Sequence, residues 1–454
     1  MEKKHRRFRF SSVQIMALGF IVIIFLGALI LSLPISINNP ESFPDGHTPF
    51  IDALFTATSA TCVTGLVIYD TFSQWSEFGQ FVILLLIQIG GLGFITLLSM
   101  FTVFSTKKNL SLRERSLLMQ TSGNSSLSNT KELIVLILKG TGIIEGIGAI
   151  LLSIRFIPEF GFWKGIYFGL FHSISAFCNA GFDLMGFKEP NSSLTSYVHD
   201  PYVNIVVALL IILGGISFLV WHDFVKHKFH FKKYSLLSKL ILITTAFLLI
   251  AGWIVFFITE ENASMKDMNI WERILASFFQ SVTTRTAGFA TIDQGTLSSA
   301  GTGASIFLMF IGGSSGSTAG GIKTITFAVI LLSTLSIARN KTGVHAFKKR
   351  IDDQTVKKAF AIVVLYVGAI LLSTILVCSF DGVSLTDSLF ESVSAMATVG
   401  LTTGITSTLS LGSKIVLSIL MYTGRIGGFS FALALFESRQ PLDLLRPVEK
   451  IIVG

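Results

Sequence analysis

The chain has 454 residues, of which 51% are hydrophobic and only 14% are charged. A water-soluble domain of this length would carry more charge and fewer than 41 phenylalanines, so the composition indicates an integral membrane protein. The net charge of +8 invites a nucleic-acid partner, but the placement of the basic residues described below argues against one. Cys62, Cys178 and Cys378 lack metal-ligand spacing and indicate no disulfide framework.

Long apolar segments recur along the chain. A helix of about 20 residues crosses a hydrocarbon core of roughly 30 Å. The segment after the basic "MEKKHRRFRF" is too long for a signal peptide and no small-residue cleavage site follows it, so we expect a retained helix. The sequence predicts spanning helices at 13–35, 78–101, 203–220, 236–259 and 359–378.

One unit of sequence occurs four times. A phenylalanine opens its first mark, hydroxyl-bearing residues lie midway, and a glycine closes it, in "FTATSATCVTG", "FHSISAFCNAG", "FQSVTTRTAG" and "FESVSAMATVG". An apolar segment with a second glycine mark follows each, in "IGGLGF", "LGGISF", "IGGSSG" and "TGRIGGF". The closing glycines are evenly enough spaced for four units to fill almost the whole chain: Gly65, Gly181, Gly288 and Gly400.

Each unit is interpreted as a helix, a short half-helix, a glycine-bearing loop and a second helix. The sequence therefore predicts an all-α integral membrane protein of four tandem helix–pore loop–helix repeats around one pore, with eight spanning helices and four re-entrant pore segments. The predicted boundaries are a cytoplasmic tail at 1–12, repeats at 13–104, 105–225, 226–340 and 341–436, and a cytoplasmic tail at 437–454.

The basic residues set the predicted orientation. In this arrangement 25 of the 35 lysines and arginines lie on one side, in the two tails and at 105–131, 221–239 and 336–358. Acidic patches such as "PESFPDG" and "ITEENASMKD" lie on the other side. The positive-inside rule then places both termini in the cytoplasm of a multi-pass protein of the cell membrane.

The closing glycines indicate a pathway for a cation. Non-helical backbone at membrane depth persists only where it is buried in protein or lines a water-filled path. Four such loops around one axis would present rings of carbonyls that replace the hydration shell of a monovalent cation. Glycine permits that conformation, and the C-termini of the half-helices favour positive charge. The second glycine marks are equally well explained by close helix packing.

"TVGL" at 398–401 looks like a degenerate potassium-channel filter, and "CVTG", "CNAG", "RTAG" and "ATVG" together resemble the Trk/Ktr/HKT superfamily of potassium transporters. The resemblance covers essentially the full length and is strongest to the Ktr-type membrane subunit. It implies a homodimer with one pore per subunit on a cytosolic nucleotide-binding regulatory ring. It also implies a selectivity filter of Val63, Thr64, Gly65, Asn179, Ala180, Gly181, Thr286, Ala287, Gly288, Thr398, Val399 and Gly400.

In that superfamily a serine at the position of Gly65 is associated with sodium preference and a glycine with potassium preference. The chain itself shows no dinucleotide fingerprint between a strand and a helix, so any nucleotide is expected to bind a separate partner. Potassium is the expected substrate and the only metal ion expected. Whether sodium acts as an activator stays open.

The stretch "GGSSGSTAGGIKT" at 312–324 interrupts the second helix of the third repeat, whereas the other three copies are expected to continue as helices. Its glycines oppose helix formation, at about 1 kcal/mol each relative to alanine. The alternatives are a plain kink and an extracellular loop. A loop would place the basic residues that follow it on the extracellular side. The segment is similar to the superfamily's gating loop. The predicted gating residues are Gly312, Gly313, Gly316, Ser317, Thr318, Gly320, Gly321, Lys323 and Arg425.

Charges at membrane depth are costly and usually functional. Arg425 replaces the second glycine of the mark, so we predict that it binds carbonyls of the interrupted segment or lies behind the filter. We predict that Arg285 pairs with a carboxylate, in particular Glu391. His172 is expected to be a packed residue with no metal-ligand or catalytic partner.

The leading hypothesis is potassium uptake through a gated, channel-like path, in the ion-translocating subunit of a Ktr-like system. A sodium-coupled or sodium-selective symporter of the same superfamily is the alternative, and nothing in the sequence supports an enzyme. The expected partners are a second copy of the chain, the cytosolic regulatory ring and the lipid bilayer.

Overall fold

The computed structural model describes residues 12–43, 46–93 and 130–427, which are predominantly helical. The predicted C-terminal tail, most of the N-terminal tail and the basic linker up to residue 129 lie outside these ranges. The first part of the chain folds into α1 (Ser12–Leu31), α2 (Phe50–Cys62), α3 (Thr71–Gln74) and α4 (Glu77–Leu92). The second part folds into α5 (Thr130–Phe160), α6 (Phe162–Cys178), α7 (Pro201–Gly215) and α8 (Phe218–His227).

The third part folds into α9 (Leu236–Thr259), α10 (Ile270–Thr283), α11 (Ser299–Phe310) and α12 (Thr324–Ala338). A two-stranded hairpin, β1 (His345–Ala346) and β2 (Lys349–Arg350), pairs His345 with Arg350 and Ala346 with Lys349. The last described helices are α13 (Asp353–Asp381), α14 (Leu385–Ala397) and α15 (Leu411–Ile426).

Polar side chains fix where many of these helices begin. The Ser76 hydroxyl accepts a hydrogen bond from the Gly79 amide at the start of α4. Asp200 accepts from two amides at the start of α7, and Asn269 with Glu272 forms a capping box on α10. Each satisfies amides that have no partner within the helix, so the chain enters these helices at defined residues.

Among the described residues, four helices are long and apolar enough to cross a membrane, and each begins one predicted unit: α1, α5, α9 and α13. The sequence spans named above did not include α5. A fifth span results if the bent pair α7 and α8 is counted as one. Eight crossings remain a prediction, because α4 and α15 end where the described residues end.

The predicted helix at 203–220 is wrong in detail. It breaks after Gly215, and α8 leaves at an angle of 93° to α7. The expectation that only the third repeat is interrupted is therefore also wrong. The bend is stabilised by contacts of Gly214, Gly215 and Phe218 with the segment between α11 and α12, described below. Such long-range contacts leave no local signal in an apolar sequence.

The packing of the short helices explains both repeated marks. The phenylalanine that opens each first mark is fully buried: Phe55, Phe171, Phe279 and Phe390. A Cβ on the glycine of the second mark would collide with a carbonyl near the end of the short helix in three units: Gly90 with Thr61, Gly214 with Phe177 and Gly424 with Met396. In these three units, then, the first glycine of the second mark permits close helix packing. Gly312 of the third unit instead approaches Gly320 in its own interrupted segment.

Candidate functional site

Four glycines far apart in sequence meet in one ring. A Cβ built on Gly65 would lie 3.1 Å from the Cα of Gly181, and one on Gly181 would lie 2.9 Å from the Cα of Gly288. One on Gly288 would lie 3.3 Å from the Cα of Gly400, and one on Gly400 would lie 2.8 Å from the Cα of Gly65. These distances leave no room for a side chain at any of the four positions.

The backbone conformation of the four loops repeats as well. All four ring glycines have positive φ, between 69° and 98°. The residue two positions before each glycine is also left-handed although it carries a side chain: Val63, Asn179, Thr286 and Thr398, with φ of 58°, 60°, 73° and 51°. A left-handed residue with a Cβ costs about 1–3 kcal/mol and persists only where the surrounding structure enforces it. Strain of this kind clusters at functional sites.

Backbone carbonyls face the ring from the residue before each glycine. The amides of Thr64, Ala180 and Val399 donate back to the short helices at 2.8 Å, and that of Ala287 does so at 3.0 Å. The carbonyl oxygens of these residues each lie beside another ring glycine: Thr64 by Gly400, Ala180 by Gly65, Ala287 by Gly181 and Val399 by Gly288. Four backbone carbonyls therefore lie at the glycine ring, and carbonyl dipoles are the groups that replace water around a monovalent cation.

The hydroxyl residue midway in each mark anchors the loop. Ser59 and Ser394 accept hydrogen bonds from the ring amides of Gly65 (3.0 Å) and Gly400 (3.1 Å). In the other two units the hydroxyl donates to the carbonyl just beyond the glycine: Ser175 to Phe182 at 2.6 Å and Thr283 to Phe289 at 2.5 Å. These hydroxyls hold the strained loops in place. Their repetition was visible in the sequence, but their role was not.

A cavity of about 550 Å³ opens on one face of the ring and is lined by all four glycines. Its acidic lining residues are Asp70, Asp183, Glu189 and Asp293, and no lysine or arginine lines it among the described residues. Clefts lined by one sign of charge raise the local concentration of the opposite ion. An acidic lining of this kind favours cations over anions next to the ring.

The interrupted segment between α11 and α12 lies against the other face of the ring. The Thr318 hydroxyl donates to the carbonyl of Phe177 at 3.1 Å, near the end of α6. A Cβ on Gly320 would lie 3.0 Å from the carbonyl oxygen of Ala397, the last residue of α14. Inside the segment Ile311 bridges Ile322, and the Lys323 ammonium donates to the Ala319 carbonyl at 2.6 Å. The segment thus folds back beneath the loops.

Arg425 joins this segment to another helix. Its guanidinium donates to the carbonyl of Thr318 and also to the carbonyls of Gly90 and Gly91, the last at 3.2 Å. The predicted contact with carbonyls of the interrupted segment is confirmed. The contact with α4 was not predicted, and it fixes the segment between the first and fourth units.

The predicted ion pair between Arg285 and Glu391 is wrong. Arg285 is buried and donates to the Gly312 carbonyl at 3.4 Å. Glu391 is fully buried and accepts instead from the hydroxyls of Thr402 and Thr406, both of which line the outer cavity. Glu391 therefore holds two threonines of the cavity wall in place just beyond Gly400.

In the second and third units, the residue that follows the buried phenylalanine also hydrogen-bonds to the chain just beyond the ring glycine. His172 is fully buried and accepts from the amide of Leu184 at 3.3 Å, as expected of a packed histidine. Gln280 donates to Gln294 at 2.6 Å. Nothing in the sequence singles out Gln280, because its partner Gln294 lies beyond the loop.

One buried ion pair links the first and last units. The Lys414 ammonium on α15 lies 2.7 Å from Asp52 on α2, and Asp52 also accepts from the Tyr69 hydroxyl at 2.8 Å. The two partners are 14% and 6% exposed. This ion pair connects α2 in the first unit to α15 in the fourth unit.

The apolar helices and the enclosed ring of carbonyls define a multi-pass membrane protein with a cation pathway as its candidate site. Residues 20–441 match the TrkH family, described as cation transport protein. The chain therefore belongs to the TrkH family of cation transport proteins, within the superfamily that its motifs resemble.

Two curated relatives cover nearly the full length. The chain is 41% identical to the potassium/sodium uptake protein NtpJ of Enterococcus hirae, over 100% of this chain and 99% of the relative. It is 39% identical to the Ktr system potassium uptake protein B of Bacillus subtilis, over 95% of this chain and 94% of the relative. These relatives are named for ion uptake.

A solved structure has the same fold. The potassium transporter TrkH from Vibrio parahaemolyticus matches with a TM-score of 0.73 over 96% of this chain and 86% of its own, at 18% sequence identity. Identity at this level shows the fold and nothing finer.

Proposed function

We propose that this chain takes up potassium across the cell membrane, as the ion-translocating subunit of a Ktr-like system. The observation that carries the proposal is the glycine ring, which is lined by four carbonyls and lies at the base of an acidic cavity. Such a ring stabilises a dehydrated monovalent cation without any charged side chain at the narrowest point. The names of the two full-length relatives support potassium as that cation.

The four loops act as a selectivity filter, and several contacts fix the backbone conformation of each loop. Each is held by a hydroxyl of its short helix and by contact with neighbouring glycines. A filter held in this way resists collapse around a smaller ion, which favours potassium over sodium. Sodium-selective or sodium-coupled transport is the alternative, and the name of the Enterococcus hirae relative, which includes sodium, gives it weight.

The segment 312–324 acts as a gate below the filter. Its glycines oppose helix formation, and its contacts with Phe177, Ala397 and Arg425 hold it against the ends of the short helices. Release of these contacts would open the path toward the basic side of the protein.

The subunit works as a homodimer controlled by a cytosolic nucleotide-binding regulatory ring. The name "Ktr system" of a relative supports a system of several components. The basic segments at 221–239 and 336–358 then face the cytoplasm together with both termini.

The test is ion uptake by proteoliposomes that contain the chain alone, with potassium and sodium compared in competition. Gly65→Ser places a side chain 2.5 Å from the Ala180 carbonyl in a left-handed conformation, so potassium preference should weaken. Gly303→Ser is the matched control, because a Cβ there meets open space.

A sodium preference in the wild-type protein would favour the alternative function. Equal effects of both serine variants would remove the filter assignment. If folded wild-type protein passes neither ion, addition of a nucleotide-binding partner separates an obligatory partner from a wrong pathway.

A further inference from the structure

The segment that joins α7 to α9 combines exposed aromatic and basic side chains. Phe229 is 89% exposed and Val225 is 64% exposed. Phe224 is exposed as well, and its ring makes an edge contact with that of Phe229 at 5.5 Å. Four exposed lysines surround these apolar side chains. We call the group the basic surface: Phe224, Val225, Lys226, Lys228, Phe229, Lys232 and Lys233.

The start of α9 places this surface at the membrane boundary. The segment leads directly into α9, which is long and apolar enough to cross a membrane. Its lysines therefore lie next to the residue at which the chain enters the hydrocarbon core. A segment at that position with exposed aromatic residues beside lysines has the composition of an interfacial segment.

The charge of the surface is not cancelled within the segment. Asp223 is the one acidic residue at 221–239, against five lysines. Asp223 accepts hydrogen bonds from the Ser235 amide at 2.9 Å and the Ser238 hydroxyl at 2.7 Å, so this carboxylate is engaged with the start of α9.

The neighbouring hairpin extends the positive charge. The Lys239 ammonium lies 6.0 Å from the ring of Phe231 and 5.8 Å from the ring of Phe347, which joins β1 to β2. Lys348 and Lys349 on this hairpin are exposed. The two basic segments thus meet at Lys239.

We propose that the basic surface binds the headgroups of anionic phospholipids in the adjoining leaflet, with Phe224 and Phe229 seated at the boundary between headgroups and acyl chains. Lysines near a membrane surface attract anionic lipids, and exposed aromatic side chains favour that boundary. An acidic soluble protein would match the charge but gives no reason for exposed apolar side chains beside the start of a helix that can cross a membrane.

Lipid binding here regulates the interrupted segment. The amide of Phe218, the first residue of α8, donates to the Gly316 carbonyl at 2.8 Å. The amides of Ser314 and Thr318 donate to Gly215 and Gly214 at the end of α7. Lipid that fixes α8 at the surface therefore stabilises the bend and the present position of the segment. This half of the inference rests on the proposed gating role.

Binding is tested on the full-length protein in detergent by native mass spectrometry with added phosphatidylglycerol. Lys228→Gln/Lys233→Gln should weaken retention of this lipid by about fivefold per lysine removed. Phe229→Ser should also weaken it without a change of charge. The matched control is Lys164→Gln/Lys266→Gln, which removes two exposed lysines outside the basic surface and should leave retention unchanged.

Regulation is tested by potassium flux in phosphatidylcholine vesicles with and without phosphatidylglycerol. Phosphatidylglycerol should lower the flux of the wild-type protein, and the double variant should lose this response. Equal lipid retention by variant and wild type would overturn the binding site. Weaker retention with an unchanged flux response would overturn the coupling to the segment.

A variant that retains phosphatidylglycerol but no longer binds an acidic soluble protein would identify the surface as a protein-docking site instead. If the wild-type protein shows no flux in either vesicle, the proposed transport function fails, whereas the retention measurement still decides the lipid site.

Discussion

Arg425 provides the sharpest test of the proposed gate. One of its hydrogen bonds holds the Thr318 carbonyl, and the others hold Gly90 and Gly91 on α4. A hydrogen bond to a charged group contributes about 1.5–3 kcal/mol. Loss of the bond to Thr318 in Arg425→Ala should therefore raise the open population, and with it the flux without partner, by roughly 10- to 150-fold.

Two further variants test whether the rise in flux follows the strength of the hydrogen bond that is lost. Thr318→Val keeps Arg425 but removes the neutral hydrogen bond to Phe177, so the flux should rise by only about 2- to 12-fold. Arg155→Gln removes a guanidinium that binds Asp200 and Glu159, remote from the segment, and should leave the flux unchanged. The assay is potassium flux in proteoliposomes, with folding checked by size-exclusion chromatography. Folded Arg425→Ala protein with wild-type flux would refute the reasoning, as would a larger effect from Thr318→Val.

Three other predictions address the gate, the cavity wall and stability. Deletion of residues 313–320 should give partner-independent potassium flux, and a folded deletion protein with unchanged flux would contradict the gating role. Glu391→Ala should reduce the preference for potassium over sodium in competition uptake, because the hydroxyls of Thr402 and Thr406 lose their acceptor. Glu391→Gln keeps an acceptor oxygen and should retain most of that preference. Equal losses of preference in the two variants would show that the acceptor is not what matters. Lys414→Met should destabilise the protein by about 3–5 kcal/mol, because it leaves Asp52 buried without its cation, and Asp52→Asn in the same chain should restore part of that loss in thermal unfolding. An additive effect of the two changes would argue against the pair.

The repeated marks could be found without a structure because they impose local requirements. A ring glycine such as Gly65 needs positive φ, and the phenylalanine that opens each mark is a large buried side chain, so both recur at fixed places in the sequence. The long apolar helix at 236–259 is confirmed in its bounds, since it coincides with the apolar run and begins directly after the capping residue Ser235. The family also follows from these marks.

The sequence by itself determined the apolar helix at 236–259, the four ring glycines and the glycine-rich interruption at 312–324, because hydropathy and backbone freedom are properties of short stretches of chain. Only the tertiary structure decided that Arg425 reaches α4, that Glu391 binds threonines rather than Arg285, and that α8 turns by 93° against Gly316. Each of these depends on which buried polar groups find partners across units. An unpaired polar group is costly in this interior, so the partners are set by three-dimensional proximity, which the spacing along the chain does not encode.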